Sequence, residues 1–125
     1  MITGHVNANR EAILSIAICH ENGLEHLRDA VVDTGFDGWL SLPPAFIETL
    51  GLSWQRFGRA ILADGSESAF NIFGGDVLWD GQMRTINIYE MDAEPLLGMS
   101  LMYGYELYLP VLDGASFTLS RIVKS

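Results

Sequence analysis

Short apolar segments separated by turn residues recur along the chain and predict a mostly β structure. Residues 12–19 are rich in Ile and Leu and form the first predicted strand. Asn22-Gly23 follows, and Asn-Gly between apolar runs is among the strongest sequence signals for a β-hairpin. The second predicted strand therefore covers residues 24–32 and ends at Asp33, and a third, shorter strand covers 39–42.

The spacing of apolar residues changes after this third strand. Pro43-Pro44 suits the first turn of a helix, and Gly51 suits the position just past a helix end. We therefore predict a short helix over residues 44–50. The apolar residues expected to face the core from this helix are Phe46, Ile47 and Leu50.

Three Asp-Gly dipeptides divide the second half of the chain into further predicted hairpins. The paired segments are 59–62 with 69–73 around Asp64-Gly65, 77–79 with 83–89 around Asp80-Gly81, and 105–112 with 116–123 around Asp113-Gly114. Between the last two hairpins, Leu96-Leu97 predicts a short strand and a helical turn follows Gly98. We therefore expect an all-β fold, an antiparallel meander closed into a small barrel or sandwich with one or two short helices. The length of 125 residues predicts a single domain spanning 1–125.

The composition excludes disorder and disfavours several classes of partner. Apolar residues make up 49% of the chain and charged residues only 18%. Asp and Glu outnumber Lys and Arg by 16 to 7, which gives a net charge of -9. A nucleic-acid surface needs clustered basic side chains to neutralise phosphates, and the sequence has no such cluster. We therefore expect neither nucleic acid nor an anionic membrane as a partner.

The single cysteine and the N-terminal sequence bear on localisation. Cys19 has no partner for an intrachain disulfide, which fits a reducing compartment. The N-terminus lacks the basic start of a signal peptide, and the apolar stretch 12–19 is too short to span a bilayer. We therefore expect a soluble, cytoplasmic protein.

Asp33-Thr34-Gly35 is the strongest candidate for chemistry in the chain. The tripeptide follows the apolar run Ala30-Val31-Val32, so Asp33 is expected at the end of a buried strand where the chain turns. A carboxylate in an apolar setting is a usual feature of catalytic sites. The three residues are also common in ordinary turns, so the tripeptide alone leaves both interpretations open.

Other candidate sites are weaker. His5, His20 and His26 lack close metal-ligand spacing, and one cysteine offers no thiolate pair. Cys19 lies within an apolar strand, which favours a structural role over a nucleophilic one. The sequence also lacks a Gly-x-Ser-x-Gly motif and a Gly-rich phosphate loop with Lys. We therefore expect no metal and no cofactor.

Taken together, these features resemble the retropepsin-like aspartic proteases, and the overall pattern is most similar to their small prokaryotic members. The residues that carry the resemblance are Val31-Val32-Asp33-Thr34-Gly35, the phrase Leu62-Ala63-Asp64-Gly65-Ser66 in the following hairpin, and Pro95-Leu96-Leu97-Gly98-Met99. The resemblance extends over roughly residues 13–102 and implies a small closed retropepsin-like barrel. Viral members follow the apolar-apolar-Gly triplet with Arg-Asn, where this chain has Met99-Ser100.

The resemblance also implies a role for individual residues. Asp33 is expected to be the catalytic carboxylate, Thr34 to hydrogen-bond across a dimer, and Gly35 to let two active-site loops approach closely. Asp37 is expected to bind the substrate backbone, and the triplet ending at Gly98 to pack beside the active-site loop. The hairpin 59–73 is expected to act as a flap over a peptide substrate. The flap residues expected to bind substrate are Leu62, Ala63, Asp64 and Gly65.

The chemistry of aspartic proteases independently requires two carboxylates. Two carboxylates at roughly 3 Å cannot both be ionised, so they share one proton. One then acts as the base toward water and the other as the acid. This chain has one Asp-Thr-Gly copy, so an active enzyme must be a homodimer in which the two Asp33 residues meet on a two-fold axis.

The predicted activity is therefore that of a homodimeric aspartic endopeptidase. Two alternatives stay open from the sequence, because a fold does not guarantee an activity. One is a non-catalytic module that binds an extended peptide, and the other is a dimerisation domain in which Asp33 is only a turn residue.

Overall fold

The structure is a computed structural model that describes residues 1–123. Ten strands and two short helices lie within these residues. Their bounds are β1 Ile2–Val6, β2 Ala12–Cys19, β3 Glu25–Val32, β4 Leu40–Leu42, α1 Pro44–Leu50, β5 Ser53–Ile61, β6 Glu67–Trp79, β7 Gln82–Glu90, β8 Leu96–Leu97, α2 Met99–Met102, β9 Tyr105–Tyr108 and β10 Ser116–Arg121.

Six of the strands close into a barrel. Neighbouring strands follow the order β6-β7-β4-β8-β3-β2, and Ala17 and Ile18 of β2 pair with β6 to complete the ring. β5 extends the sheet beyond β6, while β1, β10 and β9 extend it from the first residues of β2. The sheet therefore begins at β5 and ends at β9 in the described part of the chain.

Two pairings in the barrel are parallel. β3 pairs with β8 in parallel, and β4 pairs in parallel with β7. The predicted Asn-Gly and Asp-Gly hairpins are present, but the expected antiparallel meander is interrupted by these two parallel pairings. Turn dipeptides specify pairing only between strands adjacent in sequence, whereas β4 and β8 pair with strands distant in sequence.

The helix α1 covers one side of the core. Its bounds agree with the sequence prediction, and Phe46, Ile47 and Leu50 are buried as expected. Gly51 ends the helix in the left-handed conformation, with φ of 66°, and its N–H donates to the Glu48 carbonyl at 3.0 Å. No helix within residues 1–123 has both the length and the apolar character needed to cross a membrane.

The bounds of three strands, β1, β5 and β6, differ from the prediction. β1 was not predicted, because its five residues are partly exposed and include Gly4, which weakens the alternating pattern. Gly4 is needed there because an added Cβ would overlap the ring of Phe117. β6 is one continuous strand through Gly74-Gly75, where two separate segments were predicted, because β5 and β7 both pair with this stretch. For the same reason β5 begins at Ser53 and not at 59.

The C-terminal hairpin is shorter than predicted. β9 ends at Tyr108, four residues before the expected end of the strand, and a loop then runs to the start of β10. Pro110 explains the difference, because proline donates no ladder hydrogen bond and restricts the residue before it.

Candidate functional site

Asp33 follows the last residue of β3, at the point where the chain leaves the barrel. Ala30, three residues earlier, is fully buried, and Asp33 itself is half-buried. The neighbouring β8 fixes this strand end, because Val32 pairs with Leu97 and the Asp33 N–H donates to the Leu97 carbonyl at 2.9 Å. Asp33 therefore follows a strand end at the rim of the core, as expected. The expectation that this strand is buried was wrong, because β3 carries polar side chains at residues 25, 28 and 29 and only Ala30 is buried.

The residues after Asp33 form a tight loop whose tip faces solvent. The Gly35 N–H donates to Oδ1 of Asp33 at 2.9 Å, and the Phe36 N–H donates to the Asp33 carbonyl at 3.1 Å. Thr34 and Gly35 are both exposed. One oxygen of the carboxylate is thus oriented by its own loop, and the loop tip is open to a second molecule.

Residues 98–100 hold the far side of this loop. The N–H groups of Met99 and Ser100 donate to the carbonyl groups of Phe36 and Gly38 at 2.8 and 3.1 Å. The Ser100 hydroxyl donates to the Asp37 carbonyl. The structure therefore places the predicted triplet Leu96-Leu97-Gly98, and the start of α2 after it, beside the Asp33 loop.

Gly98 fits this contact because it has no side chain. Its N–H donates to the Trp39 carbonyl at 3.0 Å, and an added Cβ would overlap the Gly38 carbonyl oxygen. Two segments of backbone can approach this closely only where one of them carries no Cβ.

Sequence reasoning missed Ser100. At this position the sequence shows Met99-Ser100 where viral relatives have Arg-Asn, and it does not indicate that the serine hydroxyl donates to a backbone carbonyl. The available signal was the short helical turn predicted after Gly98, because the first turn of a helix brings its side chains near the preceding loop.

The hairpin of β5 and β6 carries the predicted flap residues. Its turn is closed by hydrogen bonds between Leu62 and Ser66 at 2.8 Å and from the Gly65 N–H to the Leu62 carbonyl at 2.9 Å. Gly65 has φ of +85°, which explains the glycine at this position. Residues 61–69 are exposed, so the hairpin projects from the barrel.

Asp64 stabilises this turn through Ser66. Its Oδ1 accepts hydrogen bonds from the Ser66 N–H at 2.9 Å and from the Ser66 hydroxyl at 2.6 Å. These hydrogen bonds favour the ionised form and lower the pKa of the Asp64 carboxyl below its ordinary value of 3.8.

A cavity of about 670 Å³ separates the hairpin from the Asp33 loop. Tyr89 lies in its wall, with its ring centroid 5.4 Å from that of Phe36 and 5.0 Å from that of Phe70. Of the predicted substrate-binding residues, Asp37 and Leu62 line the cavity. Asp33, Thr34, Gly35, Ala63, Asp64 and Gly65 are not among its lining residues.

The remaining candidate residues do not assemble a metal site. Residues 1–123 contain no group of three or more His, Cys, Asp or Glu side chains placed to hold a metal ion. Cys19 is half-buried, and its Sγ lies 3.6 Å from Sδ of Met83. Burial raises the pKa of the Cys19 thiol, and the nearby Glu25 raises it further, which keeps the thiol protonated.

Two solved structures are similar to this chain. One is the crystal structure of a retropepsin-like aspartic protease from Rickettsia conorii, with a TM-score of 0.61 and 16% identity over 98% of this chain and 91% of that one. The other is EIAV protease complexed with the inhibitor HBY-793, with a TM-score of 0.55 and 17% identity over 77% of this chain and 88% of that one.

Neither a protein-family model nor a curated protein sequence matches the chain. The structural likeness nevertheless extends over nearly the whole chain and confirms the fold expected from the sequence resemblance. The chain therefore has an all-β retropepsin-like fold with two short helices.

Proposed function

We propose that this protein is an aspartic endopeptidase that acts as a homodimer. The observation that carries the proposal is the position of Asp33, directly after the end of β3 at the rim of the core, in a loop whose exposed tip is Thr34-Gly35. A carboxylate in that position is accessible to a second copy of itself across a two-fold axis. The likeness to two proteases of the retropepsin-like fold supports the same activity.

The proposed reaction needs two Asp33 carboxylates that share one proton, the arrangement known from aspartic proteases. The ionised carboxylate takes a proton from a water molecule, which attacks the carbonyl carbon of the scissile peptide bond. The protonated carboxylate gives its proton to the carbonyl oxygen, which stabilises the tetrahedral intermediate. Proton transfer to the amide nitrogen then breaks the C–N bond, with no covalent enzyme intermediate.

The cavity beneath the hairpin is the proposed subsite for a substrate side chain. Its wall contains Phe36, Phe70 and Tyr89, so an apolar side chain would bury its surface there. Asp37 lines this cavity, and its carboxylate is proposed to accept a hydrogen bond from a substrate backbone N–H. A peptide held along the hairpin would extend from this subsite toward the two Asp33 residues.

The homodimer is required by the chemistry, and the sheet offers an edge for it. β9 is the last strand of the sheet and pairs only with β10 in the described residues. Large apolar side chains are exposed on β9 and in the loop after it, among them Tyr108, Val111 and Leu112. An open strand edge beside exposed apolar residues is a surface typical of pairing with another chain.

Asp33→Asn tests the proposal. Wild-type protein is expected to cleave members of a peptide library at mildly acidic pH, and the variant to cleave none while keeping the dimer mass in sedimentation. Asp29→Asn is the matched control, because Asp29 is exposed on the same strand and lies outside the loop. The aspartic protease inhibitor pepstatin is expected to bind the wild type and to stop cleavage.

The opposite result would favour the binding module. If wild-type dimers cut nothing between acid and neutral pH and pepstatin does not bind, the peptidase proposal is wrong. Peptides that bind both the wild type and Asp33→Asn equally, without cleavage, would then identify a non-catalytic peptide-binding protein.

A further inference from the structure

A second cavity, of about 390 Å³, lies between the β6–β7 turn and the ends of β9 and β10. None of its lining residues belongs to the Asp33 loop or to the β5–β6 hairpin. Its polar and aromatic lining comes from Trp79, Gln82, Arg84, Tyr103, Tyr105 and Arg121. Two strands distant in sequence, β7 and β10, thus bring an arginine each to one concave surface.

The two arginines give this cavity positive charge on a protein of net charge -9. Within residues 1–123, neither Arg84 nor Arg121 has a carboxylate oxygen within 4.0 Å. The Tyr105 side chain raises the pKa of Arg121 through a hydrogen bond, and the charge of Asp80 raises it further, so one donor of this guanidinium faces Tyr105. The Asp80 carboxylate is itself bound by the Met1 ammonium group at 3.0 Å and by the Tyr105 hydroxyl at 2.9 Å. The guanidinium groups therefore keep unused hydrogen-bond donors.

Aromatic rings fix the geometry around these cations. The Arg84 guanidinium lies 5.3 Å from the centroid of the Trp39 ring, a cation–π contact that restrains the arginine. Trp39 itself does not line the cavity. The rings of Trp79 and Tyr105 pack edge to face at 5.7 Å, while Tyr103, 86% exposed, stands at the mouth. Flat apolar surfaces therefore lie beside the two guanidinium groups.

Trp79 adds a second, independent feature. Only 3% of the residue is exposed, and its indole N–H has no hydrogen-bond partner within the described residues. A buried donor without a partner loses its hydrogen bonds to water and gains none in return, so such groups are rare where no ligand or water is bound.

We propose that this cavity binds a small aromatic oxyanion, a carboxylate or phosphate group carried on a flat ring. Guanidinium groups match both oxyanions because their paired N–H donors form two parallel hydrogen bonds. The ring would stack against Tyr103 and Tyr105, and a cavity of this size accommodates one ring with its anionic group. This site does not depend on the peptidase activity.

The three tryptophans make a direct test possible by nuclear magnetic resonance of ¹⁵N-labelled protein. Titration with phenyl phosphate at constant ionic strength is expected to shift the Trp79 indole signal saturably. The Trp54 signal is expected to stay unchanged, since Trp54 lies on β5 outside the cavity and its indole N–H donates to Asn71 on β6. Benzoate in a parallel titration separates carboxylate from phosphate recognition. Inorganic phosphate separates the contribution of the ring from that of the anion.

Paired variants locate the binding site. Arg84→Gln with Arg121→Gln is expected to weaken binding at least about tenfold, because both charge-assisted hydrogen bonds are lost. Arg56→Gln, an exposed arginine on β5, is the matched control and is expected to bind as the wild type does. Tyr103→Ala, at the mouth, is expected to weaken phenyl phosphate and to leave inorganic phosphate unchanged.

Two results would overturn the proposal. One is a Trp79 indole signal of the wild-type protein that does not shift saturably with phenyl phosphate or with benzoate. This measurement uses the wild type alone, so it does not depend on any variant folding. The other is equal weakening by Arg56→Gln and by the double variant, which would mean that the anion responds to overall charge alone.

Discussion

The Asp33 loop is held in place mainly by backbone hydrogen bonds from residues 98–100. Its own side chains contribute one hydrogen bond, from the Gly35 N–H to the Asp33 carboxylate. Gly98, Met99 and Ser100 each donate a backbone N–H to the segment between Phe36 and Trp39. These bonds tie the loop to β8 and α2, so the loop position depends on the close approach of two chain segments. The proposed catalytic carboxylate would be positioned by this contact.

Gly98→Ala is expected to destabilise the fold by about 2 kcal/mol or more, because the new methyl group would overlap the Gly38 carbonyl oxygen and the backbone must move. Urea unfolding measures the change. Gly74→Ala is the matched control, since its Cβ would meet the flexible side chain of Gln55 at 3.1 Å and is expected to destabilise less. Equal losses for the two variants would contradict the role given to Gly98.

Ser100→Ala is expected to lower the free energy of unfolding by about 1 kcal/mol, because the hydrogen bond to the Asp37 carbonyl is lost. Ser15→Ala, an exposed serine on β2, serves as the control and is expected to change stability little. Under the proposed function, Ser100→Ala also lowers kcat, and Ser100→Thr restores part of it. If the free energy of unfolding of Ser100→Ala equals that of the wild type, Ser100 does not stabilise the Asp33 loop.

Among the elements, the β5–β6 hairpin is the most exposed, and its tip depends on polar contacts. Asp64 holds Ser66 in place, with Gly65 in the left-handed conformation between them. The hairpin carries apolar side chains on its inner face toward the cavity, including Leu62 and Phe70. Its tip is therefore ordered by local hydrogen bonds, while its arms are ordered by pairing of β5 with β6.

The hydrogen bonds of Asp64 predict a pH dependence of the tip. Because the pKa of Asp64 is lowered in the folded chain, their stabilising effect is complete above the ordinary value of 3.8 and is lost as pH falls through the lowered value. The amide signal of Ser66 is expected to titrate with a midpoint below 3.8. In Asp64→Asn the side-chain oxygen still accepts the bond, so this titration is expected to disappear. A midpoint at or above 3.8 in the wild type would contradict the prediction.

For the whole molecule, the proposed function depends on assembly. The chain has one Asp-Thr-Gly copy, so a single subunit holds half of the proposed site. The edge of β9 and the exposed side chains near it provide the surface on which we expect a second copy to pair. Deleting the residues after Leu112 would not be a specific test of dimer formation. The deletion also removes Phe117 and Leu119 of β10, which are fully buried in the core, so it would destabilise the fold itself.

Tyr108→Lys with Leu112→Glu is expected to raise the dimer dissociation constant by about tenfold or more, because charge is placed on an apolar interface. Sedimentation at several protein concentrations measures it, and peptidase activity is expected to fall in parallel. Leu24→Glu, an exposed apolar residue in the β2–β3 turn, is the control and is expected to leave the dimer intact. A dimer unaffected by the double variant would place the interface elsewhere.

The sequence by itself determined the features that depend on neighbouring residues. Asn22-Gly23 and the Asp-Gly dipeptides specify their turns through glycine at positive φ, and Pro44 with Gly51 bounds α1. The position of Asp33 at a strand end likewise follows from the apolar run before it. These signals act over a few residues, so they could be read without the rest of the chain.

Only the tertiary structure decided which distant segments meet. The parallel pairings of β3 with β8 and β4 with β7, the closure of the barrel through β2 and β6, and the place of β1 depend on packing of the whole chain. The contact of Ser100 with Asp37 and the meeting of Arg84 with Arg121 have the same origin. Pairing of strands distant in sequence is favourable only when the complete core is buried, and no local pattern encodes that balance.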